Sequence, residues 1–290
     1  MKTISIISGK GGTGKSSISV SISSLLAHCG FKTLIIDLDL FTHGLTFYSL
    51  GSSLDKISGS LSDIFMEEKN EDIIVPVIIP SEFTSGNLFI LPSISNVKQS
   101  VAKSAFDNKY INLTDFRRTV DTILKNISPD EFEYVFIDTR GGTDYTSIGS
   151  ALSSDYFIVV TEADKPSWKM GDFLINSIVE AEKNEKIHSK RMGFIINKNV
   201  LPSEDIEQYL RKKWGMPHVG TIPFDKSAIK YFQENRITIE EDPGCFFSKE
   251  IHNIVRDVFV SDKWTDRNIN RLELAVEPGI LSMIFNLFRN

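Results

Sequence analysis

Lys15 and Ser16 close the run Gly9-Lys10-Gly11-Gly12-Thr13-Gly14-Lys15-Ser16, which fits G-x-x-x-x-G-K-[ST]. The chemistry of that spacing is phosphate binding. Glycines let backbone N–H groups turn inward around phosphate oxygens, and a helix opening at this point adds its partial positive charge. Lys15 is then placed to bridge the β- and γ-phosphates and Ser16 to ligate Mg²⁺. Three carboxylates stand at comparable places. Asp37 and Asp39 are two residues apart after an apolar run, so they point the same way. Asp138 ends Phe136-Ile137-Asp138, the hydrophobic strand closed by an acid that holds Mg²⁺ through water. Lys10 is a further cation that the general motif does not require.

These residues need strands to carry them. Thr3–Ser8 is short, β-branched and runs straight into the glycines, as a buried strand ending in a tight loop does. Ser16–Cys29 has apolar residues at helical spacing with Gly30 as its stop, and Thr33–Asp37 is a second strand. Asn87–Pro92, Tyr134–Asp138, Tyr156–Thr161, Met192–Asn197 and His218–Ile222 repeat the strand pattern. Helical patterns fall at Leu113–Ile127, Lys169–Glu182, Glu204–Trp214 and Phe246–Phe259. Continuous apolar strands alternating with helices predict an α/β doubly wound, mostly parallel sheet with helices on both faces. In such sheets ligands sit at the carboxyl ends of the strands, which is where the polar residues cluster.

The 290 residues carry 32 Lys and Arg against 38 Asp and Glu, a net charge of −6, so the body is not basic all over. Cys29 and Cys245 are too far apart in sequence to signal a disulfide framework or a C-x-x-C metal site. No signal-peptide pattern opens the chain, and no apolar run approaches the ~18 residues of a membrane span. The expected location is cytoplasmic.

Lys10–Ser16 resembles the deviant Walker A sequence of the ParA/MinD family of P-loop ATPases. The resemblance implies that Gly11, Gly12, Thr13, Gly14, Lys15, Ser16 and Ser17 hold the phosphates of ATP, and that Lys10 reaches across an ATP-sandwiched homodimer to the partner's nucleotide. It assigns Asp37, with Ser16 and Asp138, to the Mg²⁺ environment and Asp39 to positioning the attacking water; a helix or turn cap is the competing reading of Asp39. Phe194-Ile195-Ile196-Asn197 is similar to the family strand whose terminal Asn binds adenine, and Gly220–Asp225 to the following G-x-I-P-x-D loop, with Pro223 and Asp225. One departure is Arg140, which stands where the family usually has proline after the Walker B acid. It reads equally as a salt-bridged surface residue or as a phosphate or partner contact. Relatives that need cluster or zinc cysteines, a tyrosine-rich tail, or no Lys10 signature are excluded by the sequence.

The expected organisation is a P-loop ATPase domain over 1–260, with a loop-and-helix insertion at 52–83, followed by an extension over 261–290 with an amphipathic helix at 278–290. That helix carries Ser282, Asn286 and Arg289 on one narrow stripe and apolar residues elsewhere. Packing within the protein or a dimer, a membrane interface, and a partner protein are its three open destinations. Between Lys183 and Arg236 there are 11 basic and 6 acidic residues, which leaves nonspecific DNA open as a second surface and a solvated helix face as the plainer account. The combined expectation is an ATPase that dimerises around Mg·ATP, hydrolyses it slowly, and switches the positioning, partitioning or regulation of a larger assembly, with a protein activator or cargo adaptor as partner. It would be peripheral on nucleoid or inner membrane. A nonenzymatic ATP-dependent scaffold and a membrane-associated regulator anchored by its tail are the alternatives.

Overall fold

Successive residues of a strand face opposite sides of a sheet, and in this chain both sets are apolar, so both sides must be covered. In β1 (Lys2–Ile7), β2 (Thr33–Asp37) and β5 (Tyr134–Asp138), one face receives Ile4, Ile6, Ile35 and Phe136, and the other Ile7, Leu34, Ile36, Val135 and Ile137. The computed structural model describes residues 1–50, 59–66, 79–80, 87–94, 112–127 and 130–259.

Among the described residues, eight strands form one sheet, in the order β3-β4-β2-β5-β1-β6-β7-β8. The remaining strands are β3 (Ile79–Pro80), β4 (Leu88–Leu91), β6 (Tyr156–Glu162), β7 (Lys190–Asn199) and β8 (His218–Pro223). Seven are parallel; β3 is an antiparallel edge strand on β4. The fold is therefore the doubly wound α/β sheet that the strand pattern predicts.

On one face lie α1 (Lys15–His28) and α10 (Phe246–Ile254), the latter continued by a π-helical turn at Val255–Phe259, together with α2 (Gly44–Leu50) and α9 (Thr238–Glu241). The other face is covered by α3 (Leu61–Met66), α4 (Leu113–Asn126), α5 (Tyr145–Ser153), α6 (Lys165–Glu185) and α7 (Glu204–Trp214). Helix α8 (Lys226–Gln233) follows β8.

Several elements differ from the sequence expectation, among them the short helices α2, α8 and α9, which it did not include. Helix α6 begins at Lys165, because Asp164 accepts a hydrogen bond from the Ser167 amide at 2.9 Å and Pro166 is tolerated in the first turn. Helix α5 was not anticipated from its small, hydroxyl-rich sequence; Asp144 caps it by accepting from the amides of Thr146 and Ser147. Of the expected 52–83 insertion, the helix at Leu61–Met66 and the edge strand at Ile79–Pro80 are described. The remainder, and the 278–290 helix, lie outside the described residues.

Phe136 is fully buried under α1 and stacks among Tyr134 and Phe259, with ring centroids 6.4 and 5.7 Å away. Phe136→Ala is expected to cost about 3–5 kcal/mol, read as a shift in the urea unfolding midpoint with an unchanged slope.

Candidate nucleotide site

Strand β1 ends at Ile7, and the chain turns through Ser8–Gly14 before α1 starts at Lys15. Gly14 makes the turn possible with φ of 89°, in the left-handed region. It is also pressed against β7: a Cβ there would sit 2.2 Å from the Asn197 side-chain nitrogen. Asn197 Nδ2 donates to the Thr13 carbonyl at 2.7 Å, so the end of β7 braces the loop from outside. Lys198, the next residue, donates to the Gly12 carbonyl and to Glu162 Oε1 at 3.1 Å.

Lys15 is buried beneath the loop and donates to Ser8 Oγ at 3.0 Å. Burial lowers its pKa, and the neighbouring Asp138 carboxylate opposes that shift. Asp138 accepts from Ser16 Oγ at 2.6 Å and from Ser19 Oγ at 3.1 Å, so the motif serine and one turn of α1 converge on the Walker B acid. Asp37 lies beside it in register on β2 and is fully buried. Its Oδ2 accepts from the Thr46 amide at 2.8 Å, Thr46 Oγ1 at 2.7 Å and Ser93 Oγ at 2.8 Å; its Oδ1 accepts from the Asp39 amide at 3.1 Å. Burial, then repulsion from Asp138, pushes the Asp37 carboxyl up to about 7, and burial pushes Asp138 up to about 6.

Asp39 sits just outside this pair. Its carboxylate accepts from the amides of Phe41 and Thr42 at 3.2 and 3.0 Å and from the Thr42 hydroxyl, which is the turn-capping arrangement. Lys10 is half exposed on the loop's outer side, 3.8 Å from Glu162 and donating to Ser167 Oγ at 3.3 Å. Neither carboxylate is therefore idle: Asp37, the last residue of β2, anchors α2 and the segment after β4, while Asp39, just beyond β2, shapes the loop between.

A cavity of about 410 Å³ opens beside the loop. It is lined at one end by Gly12, Gly14, Lys15, Ser16 and Ser17, and at the other by Asn197, Pro223, Phe224, Asp225, Ile229, Phe232 and Phe247. The first end offers backbone N–H groups and a cation, and the second offers aromatic and aliphatic walls. A phosphate chain joined to a flat apolar ring system matches that division. Asp225 caps α8 through the Ser227 amide at 2.8 Å and accepts from the Phe247 amide at 3.1 Å. Burial raises its pKa, but those amides outweigh it and hold the carboxyl below the usual range.

Residues 1–190 match the family model described as an AAA domain. The chain belongs to the ParA/MinD family of P-loop ATPases. It is 24% identical to the septum site-determining protein MinD of Escherichia coli K12, over 88% of this chain and 91% of that protein. The structure of MinD from Pyrococcus horikoshii OT3 complexed with Mg-ADP superposes with a TM-score of 0.67 at 20% identity, covering 90% of this chain and 99% of that one. The Cyanothece McdA–ATP complex superposes with a TM-score of 0.73 at 18% identity, covering 92% and 99%.

Of the residues that sequence reasoning assigned to the ParA/MinD site, Gly12, Gly14, Lys15, Ser16, Ser17, Asn197, Pro223 and Asp225 line one cavity, with Asp138 bonded to Ser16. Gly11, Thr13, Lys10 and Asp39 do not line it; Lys10 is engaged by Glu162 and Ser167, and Asp39 by Thr42. Sequence reasoning missed Ser8, Ser19, Thr46 and Ser93. Ser8 directly follows β1 and Ser93 comes two residues after β4, so position alone could have flagged them; Thr46 and Ser19 needed the fold.

A carboxyl whose pKa is raised in the folded chain binds a proton that the unfolded chain gives up near pH 4. That contribution to stability is complete below about pH 4 and is lost as pH rises toward 7. Asp37→Asn removes the ionisation, so without nucleotide its thermal midpoint relative to the parent should climb between pH 5 and pH 8 by several degrees. Differential scanning calorimetry across that range checks the slope.

Proposed function

We propose that this chain binds ATP with Mg²⁺, hydrolyses it slowly, and pairs with a second copy around the nucleotide as a switch that positions, partitions or regulates a larger assembly. The observation that carries this reading is the single cavity joining the phosphate loop to the Pro223–Phe247 wall. Its two ends differ in chemistry as the two ends of ATP do.

Ser16 and Asp138 fit a divalent cation, with Asp37 behind them. Two carboxylates raised by burial, Asp37 further by repulsion from Asp138, call for positive charge, and Mg²⁺ is commonly bound by one or two carboxylates plus substrate phosphates. When bound, the cation neutralises charge on the β- and γ-oxygens. Among the described residues there is no cluster of three or more His, Cys, Asp or Glu, which agrees with a site completed by phosphate oxygens. Lys15 supplies a buried cation in cis. Lys10, held by Glu162 and Ser167, supplies one that a second copy can receive. Asp39, once freed from Thr42, orients the water.

The positioning role draws on the name of the MinD relative as a septum site-determining protein. A protein activator or cargo adaptor is its expected partner, and nucleoid DNA or the inner membrane its expected surface. Among the described residues no helix is long and apolar enough to cross a membrane, so membrane association would be peripheral. A second reading, ATP as a structural ligand of a nonenzymatic scaffold, draws on the commitment of the Asp39 carboxylate to its own turn. Single-turnover phosphate release separates the two, since none over hours favours the scaffold.

Lys15→Ala should abolish ATP binding in equilibrium dialysis. Lys10→Ala should bind ATP as a monomer with parental affinity yet fail to dimerise in analytical ultracentrifugation, and a parental dimer would overturn the trans role. Asp39→Ala should accumulate the ATP dimer while phosphate release falls at least tenfold.

A further inference from the structure

Arg140 follows the Walker B segment, and its guanidinium carbon lies 4.8 Å from the centroid of the Phe41 ring. Phe41 belongs to the other loop of the site, the one shaped by Asp39. We propose that Arg140 is a positioning residue: its cation on the Phe41 ring couples the loop after β2 to the loop after β5, so that displacing one biases the position of the other.

Each end of the contact is fixed to a group at the nucleotide site. On the β2 side, the Phe41 amide donates to Asp39 Oδ1 at 3.2 Å, and the Thr42 amide donates to the same oxygen at 3.0 Å. Displacing the ring therefore disturbs the carboxylate that the proposed hydrolysis needs. On the β5 side, Ser147 Oγ donates to the Arg140 carbonyl at 2.8 Å, and the Gly142 amide donates to the Ser8 carbonyl at 2.9 Å. Between them, Gly141 runs against the phosphate loop so closely that a Cβ would meet the Lys10 carbonyl oxygen at 2.4 Å. The strands themselves are joined one step earlier, where the Leu38 amide donates to the Asp138 carbonyl at 2.8 Å. Beyond that bond the backbones separate, and the arginine–phenylalanine contact is a side-chain bridge between the two loops.

An exposed cation on an aromatic face changes an equilibrium by about two- to five-fold. That is enough to bias two mobile loops toward a common position without freezing them. The loop that carries Asp39 then senses any displacement of Gly141 against the phosphate loop, and the reverse holds equally. The consequence for turnover rests on the ATPase reading; the mechanical link does not.

The test is amide hydrogen exchange on the nucleotide-free full chain, resolved at Phe41, Thr42 and Gly142, for the parent, Arg140→Ala, Arg140→Lys, Phe41→Leu and the double variant Arg140→Ala with Phe41→Leu. Arg140→Ala should speed exchange at Phe41 and Thr42 by about two- to five-fold, although it lies in the other loop, and Phe41→Leu should do the same at Gly142. The double variant should be no faster than either single one, and Arg140→Lys, which keeps a cation, should exchange more slowly than Arg140→Ala. Parental rates at Phe41 and Thr42 in Arg140→Ala, or multiplied effects in the double variant, overturn the proposal. In steady-state hydrolysis, Arg140→Ala should lower kcat by a similar factor with KM unchanged; a raised KM with intact kcat makes Arg140 a nucleotide contact and overturns it. If the parent releases no phosphate, the ATPase reading fails while the exchange result still decides the link.

Discussion

Asp37 and Asp138 lie side by side in register at the carboxyl ends of two central strands, both buried, and both therefore reluctant to ionise. Much of the site's architecture answers that one electrostatic strain. Ser16 and Ser19 turn their hydroxyls onto Asp138, while Thr46 and Ser93 turn theirs onto Asp37. Lys15 is drawn beneath the loop, losing solvation and gaining the field of Asp138. Four segments, α1, α2, the segment after β4 and the phosphate loop, are fastened to the sheet by hydroxyls and an amine serving two carboxylates. A divalent cation with phosphate oxygens is the natural completion of such a centre, because it supplies charge that hydroxyl dipoles only partly replace.

The parallel sheet was readable because its strands are apolar on both faces and several stop at a polar residue: Ile137 then Asp138, Ile196 then Asn197. The phosphate loop was readable because its glycines are dictated by backbone geometry, as Gly14 shows. Helix α5 escaped because its apolar stripe, Tyr145, Ile148 and Leu152, is short and interleaved with the weak helix formers Thr146, Ser147, Gly149 and Ser150; its other signal is the Asp144 cap, and the small Gly149 admits the Phe116 ring, 2.7 Å from where a Cβ would be. The edge strand at Ile79–Pro80 was hidden because a two-residue segment has no periodicity to read.

Within the site, residue type told less than partner. Asn197 was legible as a strand-end amide, but not as a brace on the Thr13 carbonyl, which depends on how closely β7 approaches the loop. Asp39 was open between water positioning and capping, and the fold shows the cap. Arg140 was open between a salt-bridged surface residue and a phosphate or partner contact, and the structure sets it on Phe41, a residue 99 positions away that no local pattern could name.

The last described turn, Val255–Phe259, delivers the chain to the opposite rim of the sheet from the phosphate loop. Phe259 packs on Tyr134, whose hydroxyl donates to the Phe259 carbonyl at 3.3 Å, and Tyr134 begins β5 at the end where Lys2 begins β1. Residue 259 therefore leaves the sheet at the pole opposite the phosphate loop, so any chain that continues from it starts clear of that loop.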